Sequence, residues 1–379
     1  MIKNKKLKIA IVGGGLDSAV GYLHYSALNM EQIFKVVSGC FSTKKKINIS
    51  TAKKYNIEPN RLYDDINSLI KYEKNNIDFL LILLPTPLHF SVIKKSLTVG
   101  INVICEKSLA TSLSEMKEIK KIKKKNNRVK IYPISNYLGY PMIQEIATLM
   151  SKNKSKIGKI IKVQIEMKQD TFLRAVNGKF SQPQNWRQKD LKIPMIYFDL
   201  GIHVFSIFTF ITKLKLKKIL CIQKNHGNVK NVKDDIDIYA VTADETSVHF
   251  NFGKCLLGHK NDLNIKIYGN KGSIFWNHKH SNEYIYNDVS GNSVNVDYAN
   301  AIFEGNHKNI DYHKFKVGHP NGFLEAFANY YKQVYLDYFG NSNKKFESIF
   351  SLKTEEEFMK LCYNCLSSSK SQKWIKIKN

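Results

Sequence analysis

At 379 residues with 43% apolar content, the chain is long enough for two domains that each bury a core, and too long for one. Its net charge of +27 raises the question of an anionic partner, but the lysines are spread along the whole length beside many Asn and Ile. No basic run is interleaved with aromatics as a nucleic-acid platform requires, and no apolar run free of ionisable groups reaches membrane-spanning length, so neither partner is expected.

The first third alternates strand and helix signals. Residues 7–12 read as an apolar strand ending in Gly13-Gly14-Gly15, followed by a helix over 18–28 and a short strand over 35–39. Residues 77–84 form a near-continuous apolar run, the pattern of a parallel strand covered on both faces. Pro85-Thr86-Pro87 stops it; a helix over 89–96, a strand over 101–105 and an amphipathic helix over 113–125 follow. The alternation predicts a doubly wound parallel sheet with ligands outside the carboxyl ends of its strands, so the fold class is α/β. From about 130 strand-like stretches dominate, at 159–167, 217–222, 236–243, 247–252, 263–268 and 272–276. Helices return at 322–339 and 355–367, with a last strand at 374–377. The expected division is therefore 1–130 for a dinucleotide-binding domain and 131–379 for an α+β domain on a mostly antiparallel sheet.

Six scattered cysteines, with a charged start that runs straight into a strand, point to a reducing cytoplasm. Cys362-Tyr-Asn-Cys365 is a lone CxxC in a helical pattern and reads as helix packing, so no metal site is expected; His278 and His280 read as solvated loop residues.

Three signals carry chemistry. Gly13-x-Gly15-x-x-Ser18 follows the first strand directly: Gly13 suits a tight turn, Gly15 lets backbone approach a pyrophosphate, and Ser18 is small enough for close packing of helix on strand. The second strand runs into Ser42, Thr43 and Lys44 without a carboxylate, which suits a 2′-phosphate and leans the cofactor expectation, NAD or NADP, toward NADP. Residues 195–211 are apolar all round except for Asp199, His203 and small or hydroxyl side chains. Two ionisable groups one turn apart on a buried helix either satisfy each other or act, His203 then being a general base oriented by Asp199. Glu106 and Lys107 stand at the end of the 101–105 strand, on the ligand edge of the sheet, where a solvated charge pair is the plain alternative.

Taken together these residues resemble the glucose–fructose oxidoreductase and inositol dehydrogenase (Gfo/Idh/MocA) family. The resemblance runs nearly end to end, through the first glycine turn, Pro85–His89, 102–112, 136–141, 185–187, Asp199-Leu-Gly-Ile-His203, 268–276 and 318–331. It implies a Rossmann domain with Pro85, His89 and Glu106 beside the cofactor. It implies a second domain whose open sheet carries substrate on one face and often a homo-oligomer contact, dimer or tetramer, on the other. Lys107, Asp199 and His203 fall on the family's catalytic positions, and Tyr137 and Arg187 are candidate substrate contacts. Where the family has Pro after the lysine this chain has Ser108, which leaves open whether the bond is cis, aiming Lys107 as in the family, or trans, placing it differently. The expected activity is hydride transfer between a nicotinamide and a secondary alcohol of a sugar, inositol or sugar nucleotide. The alternatives are a non-catalytic dinucleotide-binding sensor or scaffold, and an enzyme of this fold whose cofactor never exchanges.

Overall fold

The computed structural model describes residues 5–152, 154–297, 299, 314–316, 318–341 and 349–377. Chain contacts divide it into two units, Met1–Asn136 with Phe323–Glu356, and Tyr137–Gly322 with Glu357–Asn379. The stretch 323–356 thus returns to the first unit, where a single boundary near 130 assigned it to the second.

In the first unit β1 (Leu7–Gly13), β2 (Phe34–Cys40), β3 (Phe79–Leu83), β4 (Asn102–Cys105) and β5 (Ile131–Pro133) form one parallel sheet in the order β2-β1-β3-β4-β5. Phe79, Leu80, Leu81 and Ile82 have no exposed surface, as a strand covered on both faces requires. Helices α1 (Gly21–Met30), α2 (Lys45–Lys54), α3 (Ile66–Glu73), α4 (His89–Thr98) and α5 (Leu113–Lys125) connect the strands. Ser112 caps α5 by accepting from the Glu115 amide, which fixes that start at the expected residue. The Phe323–Tyr338 helix packs against α1, where Phe327 and Tyr331 meet His24 edge-on, and against β2, where Phe34 lies edge-on to Tyr331 and Tyr335. Strand order reverses between β1 and β3, and at that switch point the carboxyl ends of a doubly wound sheet leave a crevice.

The second unit opens with α6 (Pro141–Lys152) and is built on a nine-stranded sheet. Its strands are β6 (Ile160–Lys168), β7 (Leu216–Lys224), β8 (Asp235–Thr242), β9 (Ser247–Gly253), β10 (Asp262–Gly269), β11 (Gly272–Asn277), β12 (Glu283–Asp288), β13 (Ser293–Asp297) and β14 (Ile375–Lys376). They are ordered β13-β12-β11-β10-β6-β9-β8-β7-β14, and every pair is antiparallel except β6 with β9. One face is apolar and covered: Val163, Ile165 and Met167 of β6 are buried, and Phe208 of α7 (Ile202–Thr212) meets Phe250 edge-on at 5.2 Å. The other face is open, and Ile222, Tyr239 and Ile285 stand exposed on it. This is the expected mostly antiparallel sheet beside a parallel one. Among the described residues no helix is long and apolar enough to cross a membrane.

Candidate active site

The glycine turn is built so that only glycine fits it. Gly13 and Gly14 have positive φ, and a Cβ on Gly13 would lie 2.6 Å from the Leu83 carbonyl oxygen. Close packing of helix on turn falls to Gly21, where a Cβ would sit 2.0 Å from the Gly14 oxygen. Ser18 does not take that place, because the chain first makes a turn in which the Ser18 amide donates to Gly15 O at 2.8 Å, and α1 begins three residues later than expected. No side chain caps α1, so its first amides face the turn without an internal acceptor, the arrangement that receives a pyrophosphate. The cradle therefore fits the phosphates of a dinucleotide.

Beyond β2, Ser42 accepts from the Lys44 amide at 3.2 Å and Thr43 is exposed. Asp64 and Asp65 come to this strand end from the loop before α3: Tyr63 N–H donates to Gly39 O. Burial pushes the Cys40 thiol up to about 11, with Asp65 and then Asp64 adding to the shift. Asp65 is spent on capping α3, accepting from Asn67 and Ser68 amides, and Asp64 is exposed.

At the ends of β3 and β4 the two loops are pinned together. His89 is fully buried, with Nδ1 2.7 Å from Ser108 O and Nε2 2.7 Å from Leu84 O. Burial lowers its pKa below the usual histidine value, opposed by those two carbonyls. His89 thus shapes the strand ends through backbone, while Pro85 opens the turn Thr86–Leu88, and Thr86 donates to Lys107 O at 3.4 Å. The Lys107–Ser108 bond, left open between cis and trans by the sequence, is cis. Glu106 and Lys107 are half-buried, and the Lys107 amide donates to Glu106 Oε2 at 3.3 Å.

In the second unit Asp199 lies in a π turn, Tyr197–Gly201, that leads into α7 carrying His203. The first part of the stretch expected as an α-helix over 195–211 is thus a π turn, and Asp199 lies within it. Asp199 is buried and ion-paired: Arg187 Nε donates to Oδ2 at 2.8 Å and Nη2 to Oδ1 at 3.1 Å, and Lys254 Nζ lies 2.7 Å from Oδ2. Arg187, expected to touch substrate, spends two donors on this carboxylate and stacks on Trp186 at 4.0 Å. Lys254 was not singled out from sequence, where it is one of 59 lysines and arginines. Behind the turn, the Tyr197 hydroxyl lies 3.3 Å from Cys221 Sγ, and Cys362 and Cys365 are fully buried, as the helix-packing reading of the CxxC requires.

His203 is buried against the edge of the Tyr137 ring at 4.8 Å. Tyr137 is itself buried, and its hydroxyl accepts from Asn261 Nδ2 at 3.0 Å. His278, expected to be solvated, is half-buried: Nδ1 donates to Asn261 O at 3.1 Å, which leaves Nε2 to accept from the Tyr140 hydroxyl at 2.7 Å. Burial lowers its pKa, consistent with that neutral form. The signal available in sequence was aromatic, since Tyr137, Tyr140 and Trp276 all pack around this ring.

Known proteins share the sequence and the fold of this chain. Over 344 residues, 87% of this chain and 85% of the relative, the sequence is 27% identical to the uncharacterized oxidoreductase YfiI of Bacillus subtilis. An inositol dehydrogenase homolog of Azotobacter vinelandii, solved with NADH and myo-inositol, superposes with TM-score 0.85 at 19% identity, covering 98% of each chain. A levoglucosan dehydrogenase solved with NADH and levoglucosan gives TM-score 0.81 at 16% identity, covering 99% of this chain and 100% of the other. Residues 7–132 match the family's NAD-binding Rossmann fold and residues 153–377 its C-terminal alpha/beta domain. On those two matches, which together span most of its length, this chain belongs to the Gfo/Idh/MocA oxidoreductase family.

Proposed function

We propose that the protein transfers a hydride between a nicotinamide dinucleotide and a secondary alcohol of a sugar, inositol or sugar nucleotide. The observation that carries this reading is the π turn, where a buried carboxylate with two cationic partners directly precedes the helix bearing a buried histidine. Dehydrogenases solved with myo-inositol and with levoglucosan share the fold and support a polyol substrate. When bound, the nicotinamide supplies the acceptor or donor of hydride. Oxidation also frees a proton, which His203 accepts, while the Lys107 ammonium donates to the substrate oxygen and stabilises its alkoxide character. Asp199, fixed by Arg187 and Lys254, keeps the His203 turn in place; Tyr137 lines the substrate side.

Ser42, Thr43 and Lys44 support the 2′-phosphate of NADP, whereas the solved neighbours hold NADH; clearly tighter NADH binding in a titration removes the NADP preference. A homo-oligomer contact on the open sheet face is supported by Ile222, Tyr239 and Ile285, and a cytoplasmic setting by six thiols in place of disulfides. The test is a screen of sugars, inositols and sugar nucleotides with both dinucleotides, read at the nicotinamide absorbance. Lys107→Ala and His203→Ala lower turnover by about a hundredfold or more while cofactor still binds. Full turnover in both variants overturns the assignment.

A further inference from the structure

His24 belongs to no motif and has no part in the steps above, yet its imidazole is held at both ring nitrogens. It sits in the first turns of α1, a few residues beyond the glycine cradle, with 0% of its surface exposed. Nδ1 lies 2.7 Å from the Tyr331 hydroxyl and Nε2 lies 3.0 Å from Glu106 Oε1. A carboxylate only accepts, so Nε2 carries a hydrogen and donates it, while Nδ1 meets a hydroxyl able to donate or accept. Phe327 and Tyr331 enclose the ring edge-on at 4.8 and 6.0 Å. Glu106, whose side chain is 13% exposed, continues β4 by donating its amide to Ile82 O, and its Oε2 accepts from the Lys107 amide. One ring therefore ties together the helix that starts at the glycine turn, the carboxyl end of β4 and the Phe323–Tyr338 helix. A leucine in the same aromatic box would avoid the cost of burying an imidazole, and would take one donor from the Glu106 carboxylate.

We infer that His24 is a positioning residue for the dinucleotide: it fixes the Glu106 carboxylate, and with it the Lys107 backbone, at the β4 end where the cofactor lies. The inference rests on the oxidoreductase reading above. It is tested by fluorescence titration of NADH and NADPH into wild type, His24→Leu, His24→Gln, Glu106→Gln and the His24→Leu/Glu106→Gln double variant, with thermal melts of each. His24→Leu weakens binding about tenfold. His24→Gln, whose amide can still donate to Glu106, recovers most of that loss. The double variant is no weaker than the weaker single one, because both changes break the same contact. Should His24→Leu not fold, Tyr331→Phe carries the test, lowering the melting temperature while retaining affinity, since the Nε2 bond is kept. Losses that multiply in the double variant, or wild-type affinity in His24→Leu, overturn the inference alone. Wild type that binds neither dinucleotide overturns it together with the oxidoreductase reading.

Discussion

Lys254 carries an ammonium whose side chain is only 7% exposed, and Asp199 answers it together with Arg187. Removing one member of a buried ion cluster leaves charge without compensation, which costs more than the intact cluster contributes. Asp199→Ala is therefore expected to destabilise by about 3–5 kcal/mol in urea unfolding. Asp199→Asn, which keeps one acceptor, loses less; a change within 0.5 kcal/mol, roughly the scatter of surface substitutions, removes the cluster from the account. Glu355 gives a second residue-scale expectation. Burial raises its pKa to about 7, opposed by the Leu109 amide and by Lys107. In the unfolded chain the same carboxyl titrates near about 4. Stability linked to the neutral form is thus complete below that value and lost as pH rises through 7. Glu355→Gln should raise the melting temperature at pH 8 by several degrees and hardly at pH 4; equal shifts at both would show that charge is not the cause.

Among the elements, the glycine turn is the most constrained. Gly21→Ala places a methyl within 2.0 Å of the Gly14 oxygen, which forces the turn open. Loss of NADH and NADPH binding with an unchanged far-ultraviolet dichroism spectrum is expected, and retained affinity would show that the turn does not hold the cofactor. Strands buried on both faces were legible because their apolar runs are continuous, as in Phe79–Leu83. Helix α2, KKINISTAKK, escaped notice because it is short and rich in lysine, and β12, EYIYND, because its alternation is half polar. The π turn is a hydrogen-bond pattern with no composition of its own. Of the site, Asp199, His203, Glu106 and Lys107 could be singled out, being ionisable groups on apolar elements. Their partners Lys254 and His24 could not, since the chain brings them from 55 residues after Asp199 and 82 before Glu106.

At the scale of the whole molecule, light scattering on the eluting protein should give a dimer or tetramer. Tyr239→Lys with Ile285→Lys on the open sheet face should shift it to monomer, and wild type that elutes as a monomer removes the proposed contact. The return of Phe323–Glu356 to the first unit bears on how the gene can be cut. A fragment ending at 136 leaves the aromatic side of α1 and β2 bare, with His24 lacking Tyr331 and Phe34 lacking Tyr335. The nucleotide-binding half is in this sense a split tenant of the polypeptide. Any chimera or expression clone that borrows it must carry the later stretch too, or it inherits a sticky flank in place of a finished wall.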